Sequence, residues 1–259
     1  MADGIPVPVE LKAGNRFRLT AKRLENVITP RSKALILSYP NNPTGAIMER
    51  DDLEELAEVI KKHNILVISD EIYSELTYGK EHISIAGISG MKDRTILING
   101  FSKNFAMTGW RLGYVFAHKE IMEQMTKVHQ YAIMCAPTVS QYVAVEAMKN
   151  GEADAACMRE SYDQRRRYLY YELEHLGLPC FEPEGAFYMF PDIREFGMSS
   201  EAFAMELLEK EKVAVVPGSA FGRSGEGFVR MSYAYSIDEL KEAMVRIGRY
   251  LQRKREALK

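Results

Sequence analysis

Three short apolar runs, ALILS (34–38), ILVIS (65–69) and TILIN (95–99), constrain this chain more than any other feature. Between the first two lies RDDLEELAEVIKKHN (50–64). Its Leu53, Leu56, Ala57 and Ile60 recur at three- and four-residue steps, with acids early and lysines late. That is an amphipathic helix whose charges match its dipole. Short strands divided by a helix need crossover connections, and crossovers set strands parallel. Runs this apolar suit strands buried on both faces. RLGYVFA (111–117) reads as a fourth strand. The predicted fold class is α/β, a mainly parallel sheet with helices on both faces.

The rest of the chain changes texture. Residues 119–131, 138–149 and 152–176 read as helices, the first two broken near Pro137. Beyond Leu178, strand-like stretches at 186–190, 213–216 and 228–233 alternate with helices at 200–210 and 237–253. This predicts two domains, an α/β part over 1–160 and a smaller α+β part over 161–259. At the start, VPVEL (7–11) alternates like an edge strand, and 20–27 reads as a short helix capped by Thr20. A net charge of -2 gives no field for nucleic acid or an anionic membrane surface. No apolar run reaches the roughly 18–20 residues a membrane helix needs. The start, MADGIPVPVELK, has no secretory pattern. Cys135, Cys157 and Cys180 form neither a disulfide framework nor a metal motif, which points to a reducing, cytoplasmic compartment.

Chemistry gathers after the strands. In open α/β sheets, ligands bind beyond the carboxyl ends of the strands. Lys103, in GFSKNFAMTGWRLGY, follows TILIN directly. A lysine there is a Schiff-base candidate if burial and a neighbouring Arg111 lower its pKa; its ordinary reading is a solvated loop lysine. Asp70, in ILVISDEIYSEL, follows the second run. It is either a helix N-cap or an acid held beside a cation, and Glu71 must point the other way. Opposite charges at about 4 Å attract by roughly 4 kcal/mol in a partly screened site. Asn42, in YPNNPTGA, follows the first run in a turn. Its amide can donate to a phenolic oxygen. Tyr73 is a further candidate in that region, or one of 14 tyrosines that pack. Arg111 suits phosphate or carboxylate, and Ser102 adds a hydroxyl. Arg230, inside the strand-like GFVRMSYAYS, is a structural ion pair or a carboxylate clamp.

Other signals carry little. PGSAFGRSGEG (217–227) fits neither a dinucleotide nor a phosphate-loop pattern and reads as a flexible connection. The five histidines are scattered, so no metal is assigned. The methionines read as core filler.

YPNNPTG, SDEIY, GFSKNFAMTGWRLGY and VRMSYA, in that order, resemble the pyridoxal-phosphate-dependent aminotransferases of fold type I, class I/II. The resemblance runs over nearly the whole chain and makes 1–160 part of the cofactor-binding large domain and 161–259 the small domain. It implies pyridoxal 5'-phosphate as cofactor and transfer of the amino group of an L-amino acid to a 2-oxo acid. Lys103 matches the lysine that holds the cofactor as a Schiff base and shuttles the proton. Asp70 matches the acid that pairs with the ring nitrogen. Asn42 and Tyr73 match the residues that hydrogen-bond the phenolic oxygen, with Tyr73 counted among the catalytic set. Arg111, assisted by Ser102, matches the phosphate ligand, and Arg230, with Asn42, the α-carboxylate site. Gly100 departs from relatives that carry a phosphate-binding serine three residues before the lysine. The resemblance also implies a homodimer in full-length form, and a preceding stretch of roughly one third of a full chain that has no match here. Two alternatives stand beside it: a carbon–sulfur lyase on the same scaffold, and a non-catalytic fragment that needs a separate N-terminal piece.

Overall fold

The computed structural model describes residues 3–258. These divide into two compact units, residues 3–40 with 46–157, and residues 41–45 with 158–258.

The first unit is built on a four-stranded sheet, β1 (Ala34–Ser38), β2 (Leu66–Asp70), β3 (Thr95–Gly100) and β4 (Gly113–Phe116), in that spatial order. β1, β2 and β3 are parallel and β4 is antiparallel to β3. The register aligns Ser38 with Asp70 and Asp70 with Ile98, so β1 and β2 end level while β3 runs on to Gly100. The helix α1 (Ala21–Glu25) starts at Thr20, whose hydroxyl accepts from the Arg23 amide. The crossover α2 (Arg50–His63) opens at Glu49, whose amide donates to Asp52, and closes on Asn64 in the left-handed region. Leu53, Leu56, Ala57 and Ile60 are its buried face, as the periodicity predicts. The short α3 (Phe101–Asn104) follows β3 without a linker, and α4 (Lys119–Ala132) and α5 (Thr138–Asn150) follow β4.

Two expectations change here. VPVEL forms no strand; residues 7–11 are irregular and mostly exposed. Proline at positions 6 and 8 removes two backbone donors that a strand would need. The strands are also not buried on both faces. β1 and β2 alternate, with Leu35, Leu37 and Val67 buried while Ile36 stays 74% exposed. The sheet edge at β4 leaves Tyr114 and Phe116 exposed, α4 buries none of its residues, and Val139 and Tyr142 of α5 are exposed.

The helix α6 (Glu152–His175) carries the chain from the first unit into the second. The second unit holds a small antiparallel sheet, β5 (Tyr188–Met189), β7 (Val229–Ser232) and β6 (Val216–Pro217), with β7 in the middle. The helices α7 (Ser200–Glu211) and α8 (Ile237–Ala257) pack through Phe203 against Tyr250, ring edge to ring face at 5.2 Å. The strands are shorter than predicted, because pairing sets their length while apolar character extends past the paired residues.

The glycine-rich stretch 217–227 is not a flexible connection. It forms two 3-10 turns in close contact: a Cβ added to Gly218 would lie 1.8 Å from the Gly225 carbonyl oxygen. The methionines are mixed, with Met91, Met107, Met189 and Met244 buried and Met134, Met148 and Met205 exposed. Among the described residues no helix is long and apolar enough to cross a membrane.

Candidate active site

In the first unit, the polar residues collect where β2 and β3 end. Asp70 is the last residue of β2 and is half-buried. Its Oδ1 accepts from the Ile72 amide at 3.2 Å, so it caps a tight turn, and no helix begins there. Glu71 turns the other way and is buried, at 3% exposure. Its carboxylate takes hydrogen bonds from the Ser69 and Ser84 hydroxyls at 2.8 and 2.7 Å, and its other oxygen meets His82 Nε2 at 2.7 Å. The strand's alternation thus separates two adjacent acids, one held in a polar core and one left at the sheet edge.

The turn that follows carries Tyr73, which is buried. It is strapped to the next strand: Asn99, near the end of β3, donates from Nδ2 to the Ser74 hydroxyl at 3.0 Å. Asn99 Oδ1 also accepts from the Gly100 amide at 2.7 Å, just before α3 begins. Lys103 lies in α3, half-buried, with Nζ 5.8 Å from the centre of the Tyr73 ring. Phe101 anchors that helix by packing with Met107 and Ala144. The structure therefore brings Asp70, Tyr73 and Lys103 to one end of the parallel strands.

Gly100 has a steric reason. A Cβ there would lie 3.0 Å from Gly113 Cα and 3.0 Å from the Leu112 carbonyl oxygen. A serine there would require the backbone of β4 and the residue before it to give way by a few tenths of an ångström. Arg111 sits at φ 53°, is exposed, and donates from Nη1 to the Thr108 carbonyl at 2.9 Å. The Ser102 carbonyl accepts from the Thr108 hydroxyl at 3.0 Å. Thr108 thus links both residues in one loop.

Asn42 and Arg230 meet in the second unit. Arg230 Nη1 donates to Asn42 Oδ1 at 2.8 Å. A guanidinium has no acceptor, so the amide oxygen must face it. The Asn42 amide hydrogens are thereby aimed elsewhere. The turn holding Asn42 is fixed at its end: the Glu184 and Gly185 amides both donate to the Gly45 carbonyl, at 2.9 and 2.8 Å. Gly45 has φ +71°, and a Cβ on it would lie 2.5 Å from Pro183 Cβ. Arg166 of α6 holds Pro183 in turn, donating to its carbonyl and to Glu182.

Sequence reasoning did not find Asn99, Ser74, Tyr188 or Phe221. The first two form the strap described above. The others flank Arg230, whose guanidinium lies 4.4 Å from the Tyr188 ring centre and 5.0 Å from that of Phe221. Phe221 lay inside a stretch read as flexible, and nothing in spacing alone marks it.

The chain matches known proteins over most of its length. The family Aminotransferase class I and II matches residues 1–247. YugH of Bacillus subtilis, an aminotransferase by name, is 52% identical over 253 residues, which is 98% of this chain and 66% of that protein. The aspartate aminotransferase of Pyrococcus abyssi is 46% identical over 258 residues, again 98% of this chain and 66% of that one. The crystal structure of the aromatic aminotransferase from Pyrococcus horikoshii OT3 superimposes with a TM-score of 0.94 at 45% identity, covering 96% of this chain and 68% of that one. The chain belongs to the class I and II aminotransferase family, with its α/β fold of type I. It spans about two thirds of the length of the curated relatives it matches.

Proposed function

We propose that this chain carries the chemistry of a pyridoxal-phosphate-dependent aminotransferase, moving the amino group of an L-amino acid to a 2-oxo acid. The observation that carries the reading is that a strand-end acid, Asp70, and a lysine in the short helix after the neighbouring strand, Lys103 beside Tyr73, stand at one end of the same sheet. In the first unit the donor set fits the cofactor: an amine for its aldehyde, an acid for its ring nitrogen and a phenol for its phenolic oxygen. When bound, pyridoxal phosphate supplies an electron-accepting ring conjugated to the substrate nitrogen.

The protein's residues supply the rest. Asp70 holds a proton on the ring nitrogen. Tyr73 and Asn42 hold the phenolic oxygen in its anionic form by donating to it. Arg111 and Ser102 bind the phosphate. Arg230 binds the substrate's α-carboxylate and so orients its Cα–H bond. The Lys103 amine would be the base that takes the proton from the substrate's Cα. Residues 1–160 act as the large domain and 161–259 as the small one. The names of the relatives favour amino transfer over carbon–sulfur cleavage.

Adding pyridoxal phosphate should produce the absorbance band of lysine-bound cofactor, and Lys103→Ala should lack it. Asp70→Ala should keep the band and lose turnover by about a thousandfold, the equivalent of roughly 4 kcal/mol. Near-normal turnover in that variant would contradict its role. Arg230→Ala should raise KM for every amino-acid substrate, since all share the α-carboxylate; a rise confined to dicarboxylates would mean it reads the side chain.

The exposed apolar residues of β4, α4 and α5 favour one addition. We infer that this face is covered by further polypeptide in the active assembly, consistent with a homodimer. Size-exclusion chromatography of the chain with and without the remaining third of a relative tests it.

A further inference from the structure

Arg230 is held in a way that its assigned task alone does not require. It lies on β7, the middle strand of its sheet. Tyr188 comes from β5 on one side, and Phe221 closes the turn after β6 on the other. Nη1 has Asn42 as its partner, but Nε is buried with no hydrogen-bond partner among the described residues. A buried N–H without an acceptor is costly, so the hydrogen bond to Asn42 alone does not account for how this group is held. Two aromatic rings within 5.0 Å of the guanidinium carbon do. A ring attracts a cation through its quadrupole and excludes water from that side.

Both rings stand on stiff mounts. Phe221 belongs to the first of the two interlocked 3-10 turns, where Gly218 and Gly225 pass too close for any side chain, and the Gly218 amide donates to the Phe228 carbonyl at 2.9 Å. Tyr188 follows Ala186, which is fully buried at φ 57°. The Tyr233 hydroxyl and amide donate to the Ala186 and Phe187 carbonyls, at 3.1 and 3.0 Å.

We propose that Tyr188 and Phe221 are positioning residues: they fix the guanidinium of Arg230 and thereby set its affinity for a carboxylate. An unrestrained arginine must freeze several torsions to take a carboxylate with two parallel bonds. Here the rings have frozen them beforehand. The inference rests on the reading of Arg230 as the carboxylate clamp. It requires aromatic faces and no hydroxyl, so Tyr188→Phe is silent.

The test needs no cofactor. In the isotope-labelled chain, the Arg230 Nε–H resonance is identified by its loss in Arg230→Lys, and pyruvate is titrated as the probe. The wild-type resonance should be displaced by the ring currents and should move on titration. Phe221→Leu should lose much of that displacement and bind pyruvate about tenfold more weakly. Phe221→Tyr and Tyr188→Phe should keep both properties. Pyruvate affinity within twofold of wild type in Phe221→Leu, with the displacement gone, overturns the positioning role and leaves the clamp standing. If Phe221→Leu does not fold, a tenfold loss in Phe221→Tyr, which retains the ring, overturns it instead. Unchanged pyruvate affinity in Arg230→Lys, or a wild-type resonance that pyruvate never moves, overturns the clamp reading itself.

Discussion

Replacing Glu71 by alanine should unfold the first unit more easily than any single change at its neighbour Asp70. Glu71 is 3% exposed and its carboxylate holds two hydroxyls and an imidazole at 2.7–2.8 Å. A hydrogen bond to a charged acceptor contributes about 1.5–3 kcal/mol, and three would sum to several times that. Two effects reduce the sum. Removing the carboxylate also removes its desolvation cost, and His82 and Ser84 are half-buried and can turn toward water. A net loss of about 3 kcal/mol remains, the lower end of what breaking a buried charged pair costs. Glu71→Gln keeps an accepting oxygen and should lose about 1 kcal/mol. Equilibrium urea denaturation followed by circular dichroism reads both. Because Glu71 begins the turn that carries Tyr73, cofactor uptake should fall in the same order. A Glu71→Ala protein within about 0.5 kcal/mol of wild type would refute the reasoning, since surface substitutions alone stay within that range.

Two further outcomes are expected. Gly100→Ser should destabilise by about 2 kcal/mol, the cost of overpacking where β3 meets β4, and a thermal midpoint equal to wild type would show that the strands separate freely. Glu49 is held down to about 2 by its hydrogen bonds to Arg18 and then Lys80. Its folded value lies below its unfolded one, so it stabilises above about pH 4.5 and that contribution is lost as pH falls toward 2. Half of its side chain meets water, so the effect is small, and Glu49→Gln should flatten the acid limb of the stability curve in that window. An unchanged limb would mean the pairing forms equally in the unfolded chain.

The sequence alone carried the sheet. Runs such as ALILS and ILVIS divided by an amphipathic helix call for a parallel crossover, and residues that follow strands directly fall at the carboxyl end of the sheet. The placement of Asp70 and Lys103 at the strand ends was legible for that reason, because one backbone period fixes a strand's exit. The second region was less so. Its strands are two to four residues long, and pairing partners far away in the chain decided where each one began. Burial was settled by tertiary structure as well: Ile36 and Val67 look alike in their runs, yet one is exposed and the other has no exposure at all. The aromatic flanks of Arg230 could not have been read in advance. Tyr188 and Phe221 are 33 residues apart in sequence, counting from 188 to 221, and only the order β5, β7, β6 brings both rings to one guanidinium. Local periodicity is a property of neighbours along the chain, whereas a cation's surroundings are a property of neighbours in space.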